Sequence, residues 1–464
     1  MMRYCLLLCL FLHLSNCQFG DTNIDPIRIT ETTLEALLPA AISQSIRNIN
    51  SIGGRVTGII IQHYKGVDAQ PLGYEQYLID ERTLDVFWKN GLYAGAMKDC
   101  QQIIELADAE SQHLYAGIAK ILMAHNLGIT TSFWGDIPFS EAFKAGSITQ
   151  PQYDTQEELY EQIQSLLAEA IIDLQMVNDT NELAADFIFG GDKALWIATA
   201  YALRARYYLH VSKRKPGAIM DVLDMLDSGA FEQLTEQPDF NYKDNHKEAN
   251  PLALFNLERP GQIQLGKQIL ILLQATNDPR LAKIGVEDNG EYQLFQLQNE
   301  TLYWAQMNTP IPLISLTERQ FIEAEVLLRL GRKDEAENAF KEAVNSHFLQ
   351  MNMGDTEREL FIQNHIHFAE TAGLEECLEK LISQKYIALF AQSSHEAWND
   401  YRRTSYPRLE PPEDANSSFN TSLIIPRRYL YPLSERNTNF SEYQKAIDQQ
   451  GGHFLDVDTW VFNN

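Results

Sequence analysis

The stretch "FIEAEVLLRLGRKDEAENAFKEAV", residues 321–344, decides the fold class. Apolar residues recur at three- and four-residue spacing on both sides of Leu330-Gly331, which predicts two amphipathic helices that meet there. Gly331 ends the first helix, because a residue without Cβ takes the left-handed turn at least cost. Ala336 and Ala343 are small enough to let the helices approach closely, and Phe340 supplies an aromatic packing residue.

Gly331, Ala336, Phe340 and Ala343 occupy the positions that a tetratricopeptide hairpin reserves for small and aromatic side chains. Outward from this hairpin, helical periodicity recurs at 31–50, 83–107, 111–127, 155–176, 192–212, 216–227, 315–330, 333–347 and 373–392. Residues 155–176 and 192–227 hold weaker versions of the motif. Within them "YALRARYYLHVSKRKPGAIMDVLDML", residues 201–226, is similar to a second hairpin broken at Pro216. Strand-like alternation is rare. The expected fold is mainly α, a single domain over residues 31–464 with non-tandem hairpins and long irregular insertions at 231–310 and 404–438.

Residues 1–4 carry one positive charge, at Arg3, and residues 5–14 are apolar except for His13. That run has the length of a secretory signal and falls far short of the roughly 20 residues that span a bilayer. Leu14-Ser15-Asn16-Cys17 looks like a bacterial lipobox, with Asn16 and His13 as departures. Residues 1–16 are therefore expected to be a signal peptide, Cys17 the lipid attachment site, and residues 17–30, which contain Pro26, a tether. The alternative is an ordinary signal peptide cut slightly later, with Cys17 free. Every later apolar stretch is broken by charge.

The chain has 464 residues and a formal net charge of -26. Such a surface repels phosphate backbones and argues against nucleic acid as a ligand. Of five cysteines, Cys5 and Cys9 leave with the signal and Cys17 carries lipid, so a disulfide framework is excluded. Cys100 shares an apolar helical face with Leu92, Ala96 and Ile103, and Cys377 shares one with Leu374, Leu378 and Leu381. Both read as core thiols.

No GxSxG, HExxH, GxGxxG or P-loop occurs, and the histidine pair His365 and His367 lacks further ligands nearby, so neither a metal site nor a cofactor beyond the N-terminal lipid is expected. Paired carboxylates remain open as candidates, since 63 acidic residues guarantee accidental pairs. In "FWGDIPFSEAF", residues 133–143, Gly135, Asp136 and Pro138 are turn chemistry after a helix. In "EAWNDYRRTSYP", residues 396–407, Arg402 and Arg403 read as internal partners of Asp400, Glu396 or helix carboxyl ends.

These blocks resemble the SusD/RagB family of nutrient-binding outer-membrane lipoproteins. The resemblance rests on "NIDP" (23–26), "NGLYAGAMKDCQQIIELA" (90–107), "FWGDIPFSEAF", "TERQFIEAEVLLRLG" (317–331), "ISQKYIALFAQSSHEAWNDYRRTSYPRL" (382–409), "IPRRYLYPLSERNTN" (425–439) and the closing "GGHFLDVDTWVFNN". It implies a non-catalytic protein in the outer membrane, facing the cell exterior. Such a protein caps a SusC-like TonB-dependent barrel as a lid and holds an oligosaccharide or peptide above the pore.

A saccharide site needs aromatic faces to stack on and short polar groups to bond hydroxyls. The segment "HYKGVDAQPLGYEQY", residues 63–77, mixes these best. Tyr64, Asp68, Tyr74 and Tyr77, together with Trp88 and Trp304, are the expected ligand contacts. Two other functions stay open: a tetratricopeptide lipoprotein that assembles outer-membrane barrels, and a secreted glycosidase or peptidase.

Overall fold

The computed structural model describes residues 32–144, 146–178, 182–294 and 301–463. The expected signal peptide and Cys17 lie outside the described residues.

Helices carry the architecture. Helix α1 (Leu34–Asn50) runs through Ser51 into α2 (Ile52–Ile60), and β1 (Tyr64–Gly66) leads to the short α3 (Ala69–Glu75). A π-helical segment, Phe87–Met97, continues directly into α4 (Lys98–Glu110). Gly91 fits it against α1: its carbonyl accepts a hydrogen bond from Asn48 at 2.9 Å, and a Cβ there would stand 2.9 Å from the Asn48 Oδ1.

Helix α5 (His113–Trp134) is apolar nearly all round, so it is buried on every side. From Tyr115 to Trp134 only Lys120 escapes full burial, and its ammonium pairs with Asp173 at 2.8 Å. α5 packs on α6 (Gln156–Met176), α6 on α7 (Lys193–Val211), and α7 on α8 (Ala218–Gly229). The starts of these helices are written in the sequence. Thr155 and Glu158 form a reciprocal capping box for α6, and Asp192 accepts from the Ala194 and Leu195 amides of α7.

The segment 321–344 folds as expected, with α12 (Leu316–Arg329) and α13 (Lys333–Gln350) turning at Gly331, whose φ is +78°. The Arg332 amide donates to the Leu327 carbonyl at 2.9 Å and the Gly331 amide to Leu328 at 3.0 Å, the two bonds of a Schellman motif. Ala336, Phe340 and Ala343 are fully buried, and α12 also contacts α7, α8 and α15 (Leu374–Ala388). The hairpin thus continues the α5–α8 stack.

The insertion at 231–310 is more ordered than its sequence suggests. It contains β2 (Asp239–Phe240), α9 (Pro251–Glu258), β3 (Ile263–Leu265), α10 (Lys267–Ala275), α11 (Leu281–Ile284), β4 (Val286–Asp288) and β5 (Glu291–Gln293). Four strands form an antiparallel sheet in the order β1-β3-β5-β4. β2 pairs with β6 (Ile311–Pro312). The fold is mainly helical and forms one domain.

The shared blocks are built into the core. Trp134 donates its indole N–H to the Leu430 carbonyl at 2.9 Å, and Asp136 accepts the Gln156 amide at 2.8 Å. On α16 (Ser394–Thr404), Arg402 donates to the Ser132 carbonyl, at the carboxyl end of α5, at 2.7 Å. Its guanidinium also lies 3.7 Å from the Trp398 ring centroid. Arg403 forms a two-pronged pair with Glu325 on α12, one arm at 2.7 Å. Cys100 and Cys377 are buried free thiols.

Candidate functional site

Five of the six expected ligand contacts are buried side chains. Tyr64 packs edge-on against Phe390 at 5.4 Å, and Gly58 makes room for it, since a Cβ there would fall 2.4 Å from the Tyr64 ring. Trp88 lies edge-on to Trp134 at 4.9 Å, and Trp304 lies edge-on to Tyr303 at 4.8 Å. Tyr77 is likewise enclosed. Polar residues surround these rings in sequence, but in the fold packing covers their faces. The sixth, Asp68, is exposed and makes no side-chain cap to α3.

What the segment 62–77 presents instead is an edge of strained backbone and a cationic patch. Gln62, Ala69 and Tyr77 have φ of 60°, 50° and 56°, a region that costs an L-residue free energy and that clusters where geometry serves binding. Beside it, Arg55 of α2 is half-buried. Its guanidinium lies over the Phe255 ring of α9, 4.1 Å from the centroid, and the Arg259 guanidinium lies over the same ring at 5.4 Å. Arg259 has a neighbouring partner, Glu258, at 3.0 Å. Among the described residues no carboxylate stands in ion-pair reach of Arg55. Burial, and secondarily the positive charge of Arg259, push the Arg55 pKa down to about 10, while the nearby Tyr74 and Tyr64 act against this. Arg55 therefore stays charged at neutral pH, without an anion. A fixed guanidinium fork of this kind recognises carboxylates, and it also donates readily to hydroxyl oxygens.

The sheet carries a second set of polar side chains. Val67 donates to the Gln262 carbonyl at 2.9 Å, just beyond Arg259. The register sets Lys65 opposite Gln264 and Gln264 opposite Gln293, so these three share one face. The Gln264 Oε1 is buried and has no hydrogen-bond partner among the described residues, and Lys65 pairs with Glu291 at 3.3 Å. Two amides, a carboxylate and one cation thus share this face of the sheet.

Arg55 and Phe255 were missed by the sequence reading. The signals were present: Arg55 is the lone charge in the otherwise apolar "IGGRVTGII", residues 52–60, and Phe255 and Arg259 stand at helical i, i+4 spacing.

Two clusters of titratable side chains, around His63 and His210, are buried in the core. His63 Nε2 donates to the Tyr386 carbonyl at 2.8 Å, which leaves Nδ1 to accept the Ser394 hydroxyl at 3.0 Å. Both residues are buried, and no described cavity is lined by them. Burial pushes the His63 pKa down to about 3, so its imidazole is neutral. Glu396 pairs with His210 at 2.7 Å, and His210 reaches Tyr160 at 3.1 Å, again inside the core. A cavity of about 740 Å³ lies against the first described residues and is lined by Glu35, Glu105 and Glu110, with no cation among the described lining residues.

The chain is thus a mainly α domain with tetratricopeptide-like hairpins and a guanidinium, Arg55, that has no ion-pair partner among the described residues and lies beside the segment 62–77. Its sequence matches the SusD-like family model described as "Starch-binding associating with outer membrane" over residues 26–432, and the chain belongs to that family. No curated protein matches it. Among solved structures it resembles a SusD/RagB family protein from Bacteroides thetaiotaomicron, with 24% identity, a TM-score of 0.75, and 94% of this chain and 100% of that one covered. A SusD homolog from Bacteroides fragilis gives 18% identity and a TM-score of 0.77 over 94% and 100%. A chitin-binding SusD homolog from Flavobacterium johnsoniae gives 19% identity and a TM-score of 0.76 over 92% and 99%. Among the described residues no helix is long and apolar enough to cross a membrane.

Proposed function

We propose that this protein is a nutrient-binding lipoprotein, anchored in the outer membrane through a lipid on Cys17, facing the cell exterior and closing over the mouth of a SusC-like TonB-dependent barrel as a lid. The observation that carries the reading is family membership across residues 26–432. The nutrient is an oligosaccharide, with a peptide as the alternative. The chitin-binding relative of the same fold favours the saccharide.

In this reading the ligand lies against Arg55 and Arg259, with the exposed carboxylate of Asp68 on the neighbouring segment. Guanidinium and amide groups donate to its oxygens, and carboxylates accept from its hydroxyls. Binding slows escape of the nutrient from the barrel mouth, and opening releases it to the partner, which spends the transport energy. The chain itself turns nothing over.

The test is a mild-detergent pull-down of the tagged, natively expressed protein, with mass spectrometry of retained proteins and small molecules. A stoichiometric large barrel with a co-purifying saccharide is the expected result. Recovery with barrel-assembly components, or alone with Cys17 unmodified, would overturn the reading. Cys17→Ala should shift the protein out of the membrane fraction.

A further inference from the structure

We infer that a second ligand subsite, built for the acidic sugar of a carboxylate- or sulfate-bearing oligosaccharide, occupies a cavity of about 370 Å³ at the start of α9, lined by Arg47, Phe187, Phe240, Asn241, Tyr242 and Lys247. The inference rests on the saccharide reading above and names the charge of the ligand.

The cavity lies beside the N-terminal end of α9, where Asn250 caps the helix by accepting the Leu252 amide at 3.0 Å. Asn50, at the end of α1, donates to the Asn250 side chain at 3.1 Å, so Arg47 in the last turn of α1 is held near this point. Phe255 lies in the second half of the same eight-residue helix, which spans about 12 Å, and Arg259 is its C-cap. The two stations thus flank one short, fixed element.

Charge selects the ligand class. Of the four charged residues lining the cavity, Lys243 and Glu248 neutralise each other at 2.6 Å. Arg47 and Lys247 are exposed and enter no ion pair among the described residues. Two uncommitted cations in one cavity oppose the field of a chain whose net charge is -26, and they draw an anion.

Shape and hydrogen bonding select a sugar. Phe187 is 52% exposed, an open ring face at the cavity wall suited to the apolar face of a pyranose. Phe240 stands edge-on to Tyr242, with centroids 5.0 Å apart, and fixes that ring. Tyr242 is only 8% exposed, and its buried hydroxyl has no hydrogen-bond partner among the described residues. A buried donor left unmade is costly, and a ligand oxygen in the cavity would recover that cost. Asn241 adds an exposed amide.

The test uses the full-length protein in detergent and a calorimetric panel of uronate and sulfated oligosaccharides, each paired with its carboxyl-reduced or desulfated counterpart. At least one acidic member should bind about tenfold or more tighter than its neutral twin. The double variant Arg47→Gln/Lys247→Gln should erase that difference, and Phe187→Ala should weaken both twins. All three residues are exposed, and unchanged thermal unfolding verifies that the variants fold. Equal affinity for every pair, or a preference that survives the double variant, overturns this subsite while leaving the saccharide reading standing. Failure of every saccharide, acidic or neutral, with binding of oligoglutamate instead, overturns both.

Discussion

The Arg55 guanidinium lies 4.1 Å from the centroid of the Phe255 ring and has no carboxylate in ion-pair reach among the described residues. Removing a cation from water without an anion costs free energy in the unliganded protein. Arg55→Met keeps the stem's contact with Phe255 and removes the charge. It should raise unfolding stability by about 0.5–2 kcal/mol and weaken nutrient binding about tenfold or more. Urea titration and calorimetry with the co-purified ligand check the two halves. A variant that loses both stability and affinity would assign Arg55 to packing alone.

Glu325 joins the tetratricopeptide-like hairpin to α16. Burial alone would raise its carboxyl pKa, but Arg403, Arg329 and Lys385 together hold it well below the usual carboxylate range. Glu325→Gln preserves the side-chain size and leaves the buried Arg403 facing an amide. The expected loss is about 3–5 kcal/mol by urea unfolding, the cost of breaking rather than replacing a buried pair. A loss below about 1 kcal/mol would mean that Asp400, 2.7 Å from Arg403, carries the charge balance without it.

Acid should destabilise the fold from about pH 6.5 downward. Burial holds His63, His125 and His347 below the ordinary imidazole value, with Arg206 adding to the effect at His125 and Arg280 at His347. A group whose folded pKa is depressed contributes stability that is present above its unfolded pKa and lost as pH falls toward the folded one. In that window the unfolded chain binds a proton that the folded chain does not, so each such histidine removes about 1.4 kcal/mol per pH unit. Glu325 follows the same sign lower down, below the ordinary carboxylate value. Unfolding midpoints at pH 8, 6 and 5 test this; a flat profile from pH 7 to 5 contradicts it.

How much of this could be read in the sequence follows from where each signal is stored. The 321–344 hairpin was legible because Gly331, Ala336, Phe340 and Ala343 interact over short range, and the blocks around Trp134 and Arg403 were legible as internal structure. The insertion at 231–310 was not: "PLALFNLE" of α9 is mostly apolar with no clear polar face, and runs so short carry no period. The burial of Tyr64, Tyr77, Trp88 and Trp304 was not legible, because it depends on partners far along the chain, such as Phe390 for Tyr64 and Trp134 for Trp88. Arg55 could have been suspected as a lone charge in an apolar helix. Its meeting with Phe255 needed the fold.

The α12–α13 turn separates backbone strain from packing within one motif. Gly331 has a φ of +78°, yet a Cβ placed on it would meet nothing within 4 Å. Gly331→Ala should therefore cost only the conformational term, about 1 kcal/mol. Ala343 has the opposite character: its backbone is ordinary helix, but its side chain is fully buried between packed helices. Ala343→Leu forces extra methylenes into a filled interface and should cost about 1–3 kcal/mol, with the larger effect if the helices cannot move apart. A Gly331→Asn variant discriminates further, because asparagine tolerates the left-handed region and should recover most of the alanine loss. If Ala and Asn at position 331 cost the same, the turn is limited by something other than its dihedral angle. Because this hairpin holds Glu325 against Arg403, loosening it by the Ala343→Leu route should let the Glu325 pKa rise toward its unfolded value and so flatten the acid profile below the ordinary carboxylate value, whereas Gly331→Ala should shift that profile without changing its slope.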